Sequence, residues 1–145
     1  MQAATRLHGQ DPFEVEQWLE RFAACVQARD YDAGRELFAE DVVGFGTYTP
    51  YAEGLDKLVE NQWKPVWSAT RDFRFDLAGA RIETRGELAW AAAGWSSTGI
   101  RPSGETFERR GRVTIVLRRD SGGWRAVHTH LSHNPNATLD GRESS

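Results

Sequence analysis

Between residues 124 and 133 the sequence reads W-R-A-V-H-T-H-L-S-H. An extended chain sends successive side chains to opposite faces. Trp124, Ala126, His128, His130 and Ser132 would then share one face, with Val127, Thr129, Leu131 and His133 on the other. His128 and His130 would stand about 7 Å apart along the strand, and three chemistries fit them. Imidazole is a common transition-metal ligand, but no carboxylate or third ligand follows at a recognisable spacing, so no metal is expected. An imidazole also titrates near neutrality and can pass a proton either way, which makes His130 a candidate general acid/base. The third role is structural, with one ring bonded to backbone or to Ser132 and the other at a subunit seam; His128 suits it better.

The arm before these histidines alternates Val113, Ile115 and Leu117 with Arg112, Thr114 and Val116. Asp120-Ser121-Gly122-Gly123 between the arms has hairpin-turn chemistry. With a three-residue loop, Asp120 opposes Trp124, Thr114 faces His130 and Arg112 faces Ser132. With a two-residue loop the parity flips and Arg112 sits beside Leu131. The glycines favour the longer loop, so Arg112, Thr114, His130 and Ser132 are expected together on the concave wall of a pocket. A buried arginine requires an anionic or carbonyl partner. Asp41 or Glu108 would serve within the chain; otherwise a ligand anion does. On this reading Arg112 holds an oxyanion or carboxylate, Tyr48 donates a hydrogen bond, and Trp63 and Trp67 line the hollow with Thr114, Ser132 and His128.

These residues need elements to hold them. Asp11-Pro12-Phe13-Glu14 is a helix start with Asp11 as N-cap, followed by Phe13, Trp18, Leu19, Phe22 and Val26 at helical spacing. Asp30 caps a second short helix over 31–39, anchored by Leu37 and Phe38. A strand over 41–46 carries Gly44 and Gly46, a sign of a bulge or of a close approach. A loop at 47–52 precedes a third helix from Gly54, which kinks or ends near Trp63 because of Pro65. Strands then run over 72–84, 87–98 and the two arms of the hairpin. Small residues at 91–94 would either floor a cavity or pack closely under a helix. Helices first and an antiparallel sheet afterwards make an α+β domain over 11–135, with an arm at 1–10 and a polar, flexible tail at 136–145.

Composition narrows the partners. A formal charge of −3 offers no basic stripe for nucleic acid, and no apolar run approaches a membrane span. The first ten residues lack a secretory h-region. Cys25 is the only cysteine, so no intrachain disulfide forms, and a reducing, cytoplasmic setting is expected. No phosphate loop, dinucleotide fingerprint or nucleophile elbow occurs, and no cofactor is expected.

Three stretches carry a family resemblance: D-Y-D-A-G-R-E-L-F-A-E-D at 30–41, E-G-L at 53–55 and W-R-A-V-H-T-H-L-S at 124–132. They resemble the nuclear transport factor 2-like superfamily, whose fold is also ketosteroid isomerase-like, in its SnoaL-like branch. The last stretch, with L-R-R-D at 117–120, is also similar to the association domain of calcium/calmodulin-dependent protein kinase II. The resemblance implies a cone-shaped sheet wrapped around three N-terminal helices, a cystatin-like α+β barrel. It further implies a small-molecule ligand inside the cone and a homodimer across the convex face. Isomerases, dehydratases and cyclases share the superfamily with non-catalytic association modules, so either an acid–base enzyme or an oligomerisation module is implied. The pocket arginines of the kinase association domain bind carboxylates; two of those positions fall here on Thr114 and Leu131.

Overall fold

Val15, Trp18, Leu19, Phe22 and Val26 recur at the spacing that puts them on one helical face, and all five are buried. The computed structural model describes residues 10–135, and these five lie on α1 (Gln10–Ala28). Phe13 falls off that face and is 58% exposed. Asp11 lies within the first turn of α1 rather than at its cap, and its carboxylate pairs with Arg119 at 2.8 Å. The Asp30 side chain does cap α2 (Tyr31–Arg35), accepting from the Ala33 N–H. That helix ends at Arg35, and Leu37 and Phe38 leave it as buried residues, Phe38 opening β1 (Phe38–Phe45). The expected arm and tail fall outside the described residues, apart from residue 10.

The third helical stretch does not break at Pro65. It runs on through α3 (Leu55–Leu58), a π-helical turn (Val59–Trp63) and α4 (Lys64–Trp67). Pro65 cannot donate to the Asn61 carbonyl four residues back, and the Thr49 hydroxyl donates to it instead at 2.7 Å. Two buried tryptophans, Trp63 and Trp67, are thereby stacked with centroids 4.6 Å apart.

Beyond this helix, β2 (Ala52–Glu53) extends β1 from within the expected loop, and the expected strand over 72–84 divides into β3 (Thr70–Phe75) and β4 (Arg81–Arg85). Asp76 makes the break, its carboxylate accepting from the Gly79 N–H. Next come β5 (Leu88–Ile100), β6 (Thr106–Asp120) and β7 (Gly123–His133). The sheet order is β2-β1-β7-β6-β5-β3, with β4 also on β5. All pairs are antiparallel except β1–β7, which is parallel, so this curved, unclosed sheet is mixed. The α+β architecture with N-terminal helices stands as expected.

One irregularity sets the faces. The β6–β7 turn has two residues, Ser121 and Gly122, because Asp120 pairs with Gly123. Leu117 pairs with Ala126 but Val116 with His128, so Val127 is an extra residue on β7. The short turn shifts the register by one, and the bulge shifts it back. Thr114 therefore does face His130, and Arg112 does face Ser132.

Candidate functional site

Apolar parity decides which side of the sheet the helices cover. Val113, Ile115 and Leu117 of β6 are at most 2% exposed, whereas Arg112 and Thr114 between them are exposed. The inner face is built of cross-strand rows: Ala91, Ile115 and Thr129; Ala93, Val113 and Leu131; Trp95, Gly111 and His133; Ser97 and Arg109. Gly111 is required here because the Trp95 ring lies where a Cβ would stand, 2.4 Å away. The indole N–H donates to the Arg112 carbonyl. The glycines of the first strand serve the same end: a Cβ at Gly44 would meet Leu58, and one at Gly46 would meet Gln62.

Between this face and the third helix lies a hollow with about 60 Å³ open to the centre of a water-sized sphere. Trp63, Trp67, Phe73 and Trp95 wall it, and Val113 and Leu131 form its floor. The small residues Ala91 and Ala93 pack closely instead and do not line it. Most of the cone is thus filled by its own side chains, leaving a compact chamber. Tyr48, 66% exposed, stands at its mouth.

Arg109 is the only charged residue among the described residues lining this chamber, and it is 5% exposed. Its guanidinium donates to the Ser97 hydroxyl at 2.8 Å and, more weakly, to the Thr47 hydroxyl at 3.4 Å. It lies 5.0 Å from the centre of the Trp95 ring, within cation–π range. The Nε–H is buried with no partner. Among the described residues no carboxylate pairs with the side chain. Burial pushes its pKa below the ordinary arginine value, and the neighbouring Tyr48 hydroxyl opposes this. His133, exposed at the end of β7, does not line the chamber but stands beside its mouth, its ring 5.8 Å from both Tyr48 and Trp95. Partial desolvation of the ring, and next the Arg109 charge, hold its imidazole below the usual histidine range.

The residues expected at the site divide by face. Tyr48, Trp63 and Trp67 border the chamber. Arg112, Thr114, His128, His130 and Ser132 are together as expected, but on the outer face. The expectation that this group lines the concave wall is corrected, because a sheet covered on one side must turn its apolar parity inward. There Arg112 donates through Nε to the Ser132 hydroxyl at 3.0 Å. The His128 Nδ1–H donates to the Val43 carbonyl at 2.8 Å, and the rings of His128 and His130 both meet Phe45 edge-on. No group of three or more metal-ligating side chains occurs among the described residues. Nor is any described helix long and apolar enough to cross a membrane.

A sequence profile for the SnoaL-like domain matches residues 15–136. The chain belongs to the SnoaL-like family. No curated protein sequence matches it, but solved structures share its fold. A nuclear transport factor 2-like superfamily protein from Salmonella enterica serovar Typhimurium LT2 superposes with a TM-score of 0.81 at 21% identity, over 94% of this chain and 99% of that one. A ketosteroid isomerase-like protein from Erwinia carotovora atroseptica gives 0.72 at 19%, over 86% and 98%. A protein from Xanthomonas campestris, assigned as a calcium/calmodulin-dependent protein kinase II association domain, gives 0.73 at 18%, over 84% and 86%. At these identities the likeness is one of fold.

In this SnoaL-like chain Arg109 is the chamber residue that the sequence reading leaves unassigned. The signal was present: Arg109 shares the parity of Val113, Ile115 and Leu117, the apolar set of its own strand. His133 likewise shares the parity of Thr129 and Leu131.

Proposed function

We propose that the protein binds a small apolar molecule carrying a carbonyl or carboxylate oxygen, with the chamber as its site and Arg109 as the partner of that oxygen. The observation that carries this reading is a buried guanidinium, without a counter-charge among the described residues, in an aromatic-walled chamber. An uncompensated buried charge is costly, and a ligand oxygen offsets the cost. Acid–base conversion of the isomerase, dehydratase or cyclase kind fits the same parts. Arg109 would stabilise a developing oxyanion, Tyr48 would donate a hydrogen bond from the mouth, and His133, exposed beside Tyr48 outside the chamber and held largely neutral at physiological pH, would accept a proton from a ligand that reaches the mouth. His133 takes the role expected of His130, and Arg109 that expected of Arg112. Only Cys25 carries a thiol, and a reducing, cytoplasmic setting belongs to this proposal.

A thermal-shift and native mass spectrometric screen against small apolar carbonyl compounds and acids tests it. Compounds that bind the wild type are expected to fail with Leu131→Phe, which fills the floor of the chamber; equal binding to both proteins contradicts the reading.

A second function is supported on the opposite face. Trp90, Val116 and His128 form one cross-strand row there and Ala92, Thr114 and His130 the next. Trp90 is 41% exposed and Leu88 54%. We assign this face to a homodimer seam, so that His128, His130, Thr114, Arg112 and Ser132 serve assembly. Trp90→Glu is expected to raise the dissociation constant at least about tenfold by sedimentation, since a charge in an apolar seam costs more than the roughly 1.4 kcal/mol this requires. An unchanged constant, or a wild type that stays monomeric, contradicts the assignment.

A further inference from the structure

We infer that the chamber is a monocarboxylate site, selective for a compact acid with an apolar body of at most about one ring. This rests on the reading of the chamber as a ligand site and narrows what it takes. Three observations set the class.

The first is the state of Arg109. Its two terminal nitrogens reach only neutral hydroxyls, and its Nε–H reaches none. A guanidinium offers Nε and a neighbouring terminal nitrogen as parallel donors, spaced for the two oxygens of one carboxylate. A neutral carbonyl would satisfy the Nε–H but leave the charge uncompensated. A carboxylate satisfies both.

The second is the count of charges. Arg109 is the sole charged group among the described residues lining the chamber. One buried cation neutralises one negative charge, so a dicarboxylate or a phosphate dianion would bring a surplus charge into an apolar enclosure. The ligand is a monoanion.

The third is the remaining wall. Trp63, Phe73, Trp95, Val113 and Leu131 offer apolar surface, and about 60 Å³ open to water-sized spheres holds only a handful of such groups. Formate and acetate would leave that surface uncovered. Butyrate covers it, and benzoate does so with a small outward movement of the exposed Tyr48.

The test is calorimetric titration of the full chain, in chloride-free buffer, with acetate, butyrate and benzoate and with the amides of the last two, which match them in shape but carry no charge. Butyrate or benzoate is expected to bind at least about tenfold more tightly than its amide and than acetate. Arg109→Gln is expected to abolish the difference between acid and amide, and Arg109→Lys to keep part of it, because lysine retains the charge without the fork. Circular dichroism establishes that both variants fold. Equal affinity of acid and amide, each blocked by Leu131→Phe, overturns the monocarboxylate inference while leaving the chamber a ligand site. Acetate binding as well as benzoate reduces the site to an inorganic-type anion hole and overturns the class. Absence of binding by every probe at millimolar concentration overturns both.

Discussion

Strand β6 carries two inward-leaning arginines ten residues apart, and their surroundings differ in one respect. Arg119 lies 4.8 Å from the centre of the Trp124 ring and donates to the buried carboxylate of Asp11 at 2.8 Å. Arg109 lies 5.0 Å from the centre of the Trp95 ring and has hydroxyls where Arg119 has a carboxylate. At one end of the strand the chain supplies the anion itself, from the first turn of α1. At the other end nothing among the described residues supplies it, and there the chamber opens. The same side chain on the same strand is therefore paired in one place and, on the proposed reading, a ligand partner in the other, and a carboxylate missing among the described residues marks the difference. The outward arginines add a third condition: Arg110 with Glu108 and Arg118 with Asp41 are solvated pairs of little energetic consequence.

This contrast predicts substitutions of opposite sign. Asp11→Asn removes the nearer of the two carboxylates beside Arg119, leaving Glu14 at 3.8 Å, and is expected to destabilise the fold by about 1–2 kcal/mol, discounted from the cost of breaking a fully buried pair because Glu14 remains and the Arg119 side chain is 24% exposed. Arg109→Met removes a buried charge that no carboxylate among the described residues balances, keeps an apolar chain of similar length, and is expected to stabilise the ligand-free protein by about 1 kcal/mol. Urea denaturation of both variants checks the pair; if both substitutions destabilise, the two arginines are alike and the contrast is lost.

The smallest expected effect concerns His133. Its imidazole is held below the ordinary histidine value, so between that value and its lowered one the unfolded chain binds more protons than the folded chain. The contribution is fully present above about pH 6.5 and is lost as pH falls through the lowered value. Melting temperatures measured from neutral pH downwards should therefore fall less steeply in His133→Gln than in the wild type. Identical slopes would detach His133 from the Arg109 environment.

Much of this was legible in the sequence. The alternation of β6 placed a strand and its two faces, the Asp120–Gly123 stretch placed the turn, and Trp63 and Trp67 announced an aromatic wall. The pairing of Arg112 with Ser132 was also foreseen, although by a longer turn; the molecule reaches it with a two-residue turn and the Val127 bulge. Nothing in the local residue types announces that bulge, since Val127 is as good a strand residue as its neighbours. Assigning the histidine face to the interior gave polar spacing more weight than apolar parity, and burial energetics decide the matter the other way. The end of α2 was missed for a related reason. Leu37 and Phe38 suit a helical face, but the sheet claims them as core, a tertiary demand that local propensity does not express.

The central claim is that Arg109 lacks an anion among the described residues and takes one from a ligand. The Arg109 Nε–H resonance, followed by nuclear magnetic resonance on ¹⁵N-labelled protein, tests this most directly. Saturating benzoate is expected to move that proton strongly downfield, as a new charge-assisted hydrogen bond does, while benzamide at equal occupancy moves it much less. A resonance that ignores benzoate, or that sits in the hydrogen-bonded range before any ligand is added, would contradict the account.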